Sequence, residues 1–137
     1  MNFNTYMDCC SANYQRLLKI LPKQYTQGAY ICRELANAGN LLIEHVQAHA
    51  HTETFNVKFE SMHLSAWLPN LDIQINIYHD ASLSEVTAIR DNEGKLQFFG
   101  NPATAKILPY WEKWQMNQLF GDILALTLKQ PKWQDSL

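Results

Sequence analysis

The sequence has little of what announces a specialised chemistry. Its 137 residues hold only five glycines. None of them builds a phosphate-cradling loop or a Gly-x-Ser-x-Gly elbow, and no His-Glu-x-x-His occurs. A nucleotide-binding P-loop, a serine-hydrolase elbow and a zincin helix are therefore excluded. The three cysteines, Cys9, Cys10 and Cys32, are odd in number and lack a Cys-x-x-Cys spacing. That excludes a disulfide framework and reads as reduced thiols in a cytoplasmic protein. The 11 basic residues stand singly along a chain of net charge −2. Without a basic stripe the electrostatic footprint of a nucleic-acid binder is missing, and so is a polybasic membrane patch. No apolar run approaches the about 18 residues of a membrane span. The start, Met1-Asn2-Phe3-Asn4-Thr5-Tyr6, lacks the charged and apolar regions of a signal peptide. No sequence feature calls for a cofactor or a metal.

What is present is a globular composition. Hydrophobic residues make up 47% and charged residues 18%, with six Phe, six Tyr and four Trp to fill a core. A chain of this length fits one domain, residues 1–137, and buries about two thirds of its unfolded surface.

The rhythm of apolar residues changes twice. Phe3, Tyr6, Met7, Cys10, Tyr14, Leu17, Leu18 and Leu21 follow the three-and-four spacing of a helix, which Pro22 closes. Cys9 and Cys10 point about 100° apart on it, one into the core and one partly outward. From Ala29 onward the period is two. Phe55, Val57 and Phe59 alternate with polar residues, as do Leu71, Ile73, Ile75 and Ile77. Turn signals around 37–40, 51–53, 80–82 and 91–94 divide this region into six strands, at 29–36, 41–50, 54–60, 71–79, 83–90 and 95–99. Residues 61–70, with Trp67, form an irregular crossing. Pro109 then opens a second helix whose stripe runs through Trp111, Met116, Leu119, Phe120, Ile123, Leu124 and Thr127, with Gly121 allowing close packing. The expected fold is α+β: an antiparallel sheet of about six strands, flanked by an N-terminal and a C-terminal helix packed on one face.

Leu68-Pro69, Tyr78-His79-Asp80-Ala81, Glu85-Val86 and Glu112-Lys113-Trp114-Gln115-Met116-Asn117 resemble the YqiB-like proteins, short gammaproteobacterial proteins of unknown function. The similarity runs from the first helix to about Leu128, and it departs from the family pattern at Leu119–Leu124. The resemblance supplies a family and no activity. It also implies a gene context near a nucleotide-sugar pyrophosphatase and a cyclic-AMP phosphodiesterase.

Three constellations could carry chemistry. The first is the hairpin Tyr78, His79, Asp80 and Glu85. His79 continues the inward row of Ile73, Ile75 and Ile77, so its ring needs buried partners, with Glu85, Lys113 and Asn117 as candidates. The second is His45, His49 and His51, which share strand parity. Same-face neighbours are about 6.8 Å apart, close enough for one metal if Glu53 or His63 adds a ligand. Because Leu42, Val46, Ala48 and Ala50 look buried, these histidines are expected to face solvent. The third is Glu112, Lys113 and Asn117 at the start of the last helix, where Lys113 and Asn117 share a face. The binding candidates are thus Tyr78, His79, Asp80, Glu85, Glu112, Lys113 and Asn117. The leading expectation is a non-catalytic binding or adaptor module for a protein or small molecule, with Trp67, Trp111 or Trp114 in an exposed contact patch. The alternative is a small hydrolase or isomerase of a phosphorylated or nucleotide-like metabolite, using His79 with Asp80 or Glu85. An exposed edge strand would also permit a homodimer.

Overall fold

A computed structural model describes residues 3–35, 39–61, 70–90, 96–98 and 110–129; side chains are described for these except residues 35, 61, 96–98 and 110–112. Residues 62–69 of the crossing, with Trp67, and the side chain of Trp111 therefore lie outside the described residues. In chain order the elements are α1 (Phe3–Ile20), β1 (Tyr30–Leu35), β2 (Gly39–Ala48), β3 (Thr52–Ser61), β4 (Leu71–Tyr78), β5 (Leu83–Arg90), β6 (Leu96–Phe98) and α2 (Tyr110–Leu128). The strands form one antiparallel meander in sequence order. Both helices pack on the same side of it and against each other.

Period-two patterning decides which face is covered. Leu41 and Ile43 from β2, Phe55, Val57 and Phe59 from β3, and Leu71, Ile73, Ile75 and Ile77 from β4 are all buried on the helix side. A bulge between β4 and β5 inserts Thr87, pairing Val86 with Ile75 but Ile89 with Ile73. Residues three apart on β5 can then both face inward, and both are buried.

Two expectations about faces change. The α1 face that meets the sheet is Tyr6, Cys10, Asn13, Tyr14, Leu17 and Ile20, while Phe3 and Leu18 are about half exposed. Leu18 lies about 100° round the helix from Leu17 and cannot share its contacts. In β2 the inward set is Leu41, Ile43 and His45; Leu42 and Val46 are half-buried, and Ala48 and Ala50 are exposed. The run Leu41-Leu42-Ile43 satisfies either parity, so pairing with Phe59 and Val57 decides. A bulge between His45 and Gln47 then breaks the parity before His49 is reached. His45, His49 and His51 do not share a face, and His45 does not face solvent.

Buried polar side chains tie the layers together. The Asn117 side-chain oxygen accepts from the Val86 N–H at 2.9 Å, its amide donates to the Lys113 carbonyl, and its own carbonyl accepts from Asn13. The three residues of β6 pair with β5 at Ala88–Arg90, and Asn117 satisfies the β5 edge at Val86. Arg33, itself buried, donates through Nε and a terminal nitrogen to the carbonyl of Ile20, closing the end of α1 with a cation as the helix dipole prefers. Where α1 and α2 cross, Gly121 leaves no space: a Cβ there would stand 2.6 Å from the Asn13 side-chain oxygen.

Asn117→Ala is expected to lower stability by about 1–3 kcal/mol, because it leaves the Val86 N–H buried and unsatisfied. Gly121→Ala, which gains helix propensity, should nevertheless lose about 1–3 kcal/mol by overpacking the crossing. Denaturant unfolding measures both.

Candidate functional site

The inward rows of β2, β3 and β4 end side by side in polar residues. His45 follows Leu41 and Ile43, Glu53 precedes Phe55, and His79 follows Ile77. Glu53 is the centre. Its Oε2 lies 2.5 Å from His79 Nε2, and its Oε1 lies 3.1 Å from His45 Nε2. The Tyr25 hydroxyl donates to both oxygens, 3.0 Å from each. Since a carboxylate only accepts, His79 Nε2 carries a hydrogen. In the neutral ring Nδ1 then accepts from the Tyr14 hydroxyl, 3.0 Å away. The result is a chain from the α1 phenol through an imidazole to a carboxylate.

Local backbone explains why these side chains meet. Gly28, at φ 85°, donates to the His45 carbonyl, and His45 N–H donates to Ala29. Those bonds lay the 21–29 connector along β2 and bring Tyr25 edge-on to His45 and Phe55. The His79 N–H donates to the His51 carbonyl, and Ser82, in the left-handed region at φ 54°, closes the β4–β5 turn onto the His79 carbonyl.

Burial separates the members. The side chains of His45, Glu53 and His79 are 4%, 13% and 36% exposed, so only His79 meets solvent appreciably. His45 Nε2 is near Glu53 but off the line a hydrogen bond needs, and Nδ1 has no partner among the described residues. Burial, with the neighbouring Glu53 charge, pushes the Tyr25 hydroxyl well above its ordinary range. Glu53 offers a different oxygen to each imidazole, and among the described residues no group of three His, Cys, Asp or Glu is arranged to hold a metal ion.

The hairpin residues singled out in the sequence are dispersed. Glu85 accepts from the Tyr6 hydroxyl rather than from His79. That contact and above all burial raise the Tyr6 pKa. Asn117 meets Val86, Asn13 and the backbone carbonyl of Lys113. Tyr78 accepts from Asn76, which in turn accepts from Thr54. Asp80 is exposed in the turn, and the Glu112 side chain is not described. Cys10 is buried, its thiol pushed up to about 12 by burial, and Cys9 is half-buried. Sequence reasoning misses Tyr14 and Tyr25 as partners and considers Glu53 only as a spare metal ligand. Parity with Phe55, Val57 and Phe59 is the signal that places Glu53 inside.

Among the described residues no element covers the opposite face of the sheet. That face holds a cavity of about 310 Å³ lined by Tyr30, Leu42, Glu44, Asn56, Lys58, Asp72, Gln74, Ala88 and Arg90, with the backbone of β3 and β4 as floor. No described helix is long and apolar enough to cross a membrane.

Glu53→Ala is expected to cost about 3 kcal/mol or more, since it leaves His79 and Tyr25 without their shared acceptor. Raised phenol values mean that Tyr6 and Tyr25 stay protonated in the fold at pH values where the unfolded chain ionises. Their contribution is complete below about pH 10 and is lost as pH rises above it. Melting temperature should therefore fall above about pH 10, less steeply in Tyr6→Phe and Tyr25→Phe.

The family model for the protein of unknown function DUF1249 matches residues 16–132. The curated relatives include the uncharacterized protein YqiB of Escherichia coli strain K12 and its counterpart in strain O157:H7. Each is 27% identical over 128 residues, covering 93% of this chain and 89% of the relative. No solved structure matches the chain. With most of its length covered by the family model, the chain belongs to the DUF1249 family, whose function is unknown.

Proposed function

We propose that this protein is a non-catalytic binding module that takes a small polar ligand on the open face of its sheet. The observation that carries the reading is the cavity of about 310 Å³ on that face. Its volume falls at the lower end of the about 300–1,000 Å³ usual for small-molecule sites. It is lined by Asn56, Lys58, Asp72, Gln74 and Arg90, all exposed. The helix side supports the same division of labour. Both ring nitrogens of His79 are engaged by Tyr14 and Glu53, and Tyr14 is buried in the core. Tyr78, His79 and Glu85 hold the hairpin against its neighbours rather than forming a free reactive edge.

The test is binding of a library of polar metabolites followed by amide chemical shifts in ¹⁵N-labelled protein. Shifts are expected at residues 42–44, 56–58, 72–74 and 88–90, and Gln74→Trp, which fills the depression from an exposed position, should abolish them. A library that perturbs no residue of this face, or only residues around His79, overturns the reading.

A second reading rests on the phenol–imidazole–carboxylate chain. That order of groups is what acid–base catalysis uses, and His79 is the solvent-facing member. A hydrolase or isomerase of a phosphorylated or nucleotide-like metabolite would then work through His79 with Glu53, not Asp80 or Glu85. Turnover of such a metabolite that is lost in His79→Gln while the fold survives would favour it.

A further inference from the structure

Cross-strand register shows what the open face is built to meet. Lys58 pairs with Asp72, and Asp72 pairs with Arg90. Side chains so paired stand about 5 Å apart on one face. Across β3, β4 and β5 the face therefore reads cation, anion, cation. In the adjacent row Glu44 pairs with Asn56, and Asn56 with Gln74. None of these side chains makes a hydrogen bond or ion pair among the described residues, although opposite charges are neighbours. A ligand entering here breaks no existing pair.

The charge pattern selects among ligands. One bearing charge of a single sign would set it beside a like charge one strand away. That repulsion opposes binding, since like charges about 5 Å apart repel. An uncharged ligand would strip water from four charges and return only neutral hydrogen bonds. A ligand with an ammonium and a carboxylate a few ångströms apart meets both needs. Its ammonium sits on Asp72, and its carboxylate takes the fork of Arg90 on the next strand.

We infer that the open face binds an α-amino-acid zwitterion, Asp72 seating the ammonium and Arg90 the carboxylate. This rests on the open face being the ligand site. Calorimetry with three probes tests it: leucine, N-acetyl-leucine, which lacks the ammonium, and leucinamide, which lacks the carboxylate. Leucine should bind about tenfold or more tightly than either derivative. Asp72→Asn should erase the preference over N-acetyl-leucine, and Arg90→Gln the preference over leucinamide. Both residues are exposed, and unchanged circular dichroism would show that the variants fold. Should a variant not fold, the three probes on the wild type decide. If other compounds bind this face while leucine does not, or binds no better than its derivatives, the ligand class is wrong and the binding reading stands. If nothing binds the face, both fall.

Discussion

The structure depends on one face of a meander being covered by two helices. β4 shows the constraint most plainly: Leu71, Ile73, Ile75 and Ile77 are nearly inaccessible, while Asp72 and Gln74 between them are exposed. Shifting any strand by one residue would reverse that assignment for the whole strand. Register is therefore enforced by burial, and the two bulges adjust it locally. The extra residue at Thr87 lets β5 keep both Val86 and Ile89 under the helices. The bulge after His45 ends the inward row of β2 in an imidazole and turns the rest of the strand outward.

Covering one face creates the problem of closing its margins, and each margin is closed by a polar group with a defined partner. Asn117 satisfies the β5 edge, Arg33 the last turn of α1, and Glu53 the end of three strands at once. These bonds are worth more than their surface equivalents because the alternative is an unpaired group without water. They also connect elements far apart in the chain. Tyr14 joins α1 to the β4 hairpin, and Tyr25 joins the connector to β3. The helix side consequently engages His79 together with Tyr6, Tyr14 and Tyr25. Both ring nitrogens of His45 lack a hydrogen-bond partner among the described residues, which makes that end of the core less well satisfied than the other margins.

Where one pattern dominates locally, the fold is legible. Phe55–Phe59 and Leu71–Ile77 alternate without ambiguity, and their strands lie within two residues of the expected bounds. The helices follow for the same reason, and Gly121 marks their close crossing as its lack of a side chain suggests. β2 is harder because Leu41, Leu42 and Ile43 fit both faces, so that only pairing with β3 selects one. The site is less legible than the fold. His79 reads as inward from its row, but its partners come from residues 14 and 53, at separations no spacing rule reaches. Asn117 stands out in the sequence as a partner for His79, yet it serves the β5 edge amide of Val86 instead.

The two faces use the same residue types to opposite ends, and burial is what separates them. Glu53 is held by hydrogen bonds from Tyr25 and His79 that fix its position. Asp72 carries a carboxylate too, at the centre of a face where cationic neighbours on both sides leave it unpaired. On a flat, fully solvated surface this would mean little, since exposed ion pairs contribute little whether formed or not. Here the charges line one shared depression, so that a ligand seated there meets several of them at once. A preformed row of alternating charge on a rigid sheet needs no rearrangement to receive its complement, and that rigidity is itself supplied by the satisfied polar margins of the other face.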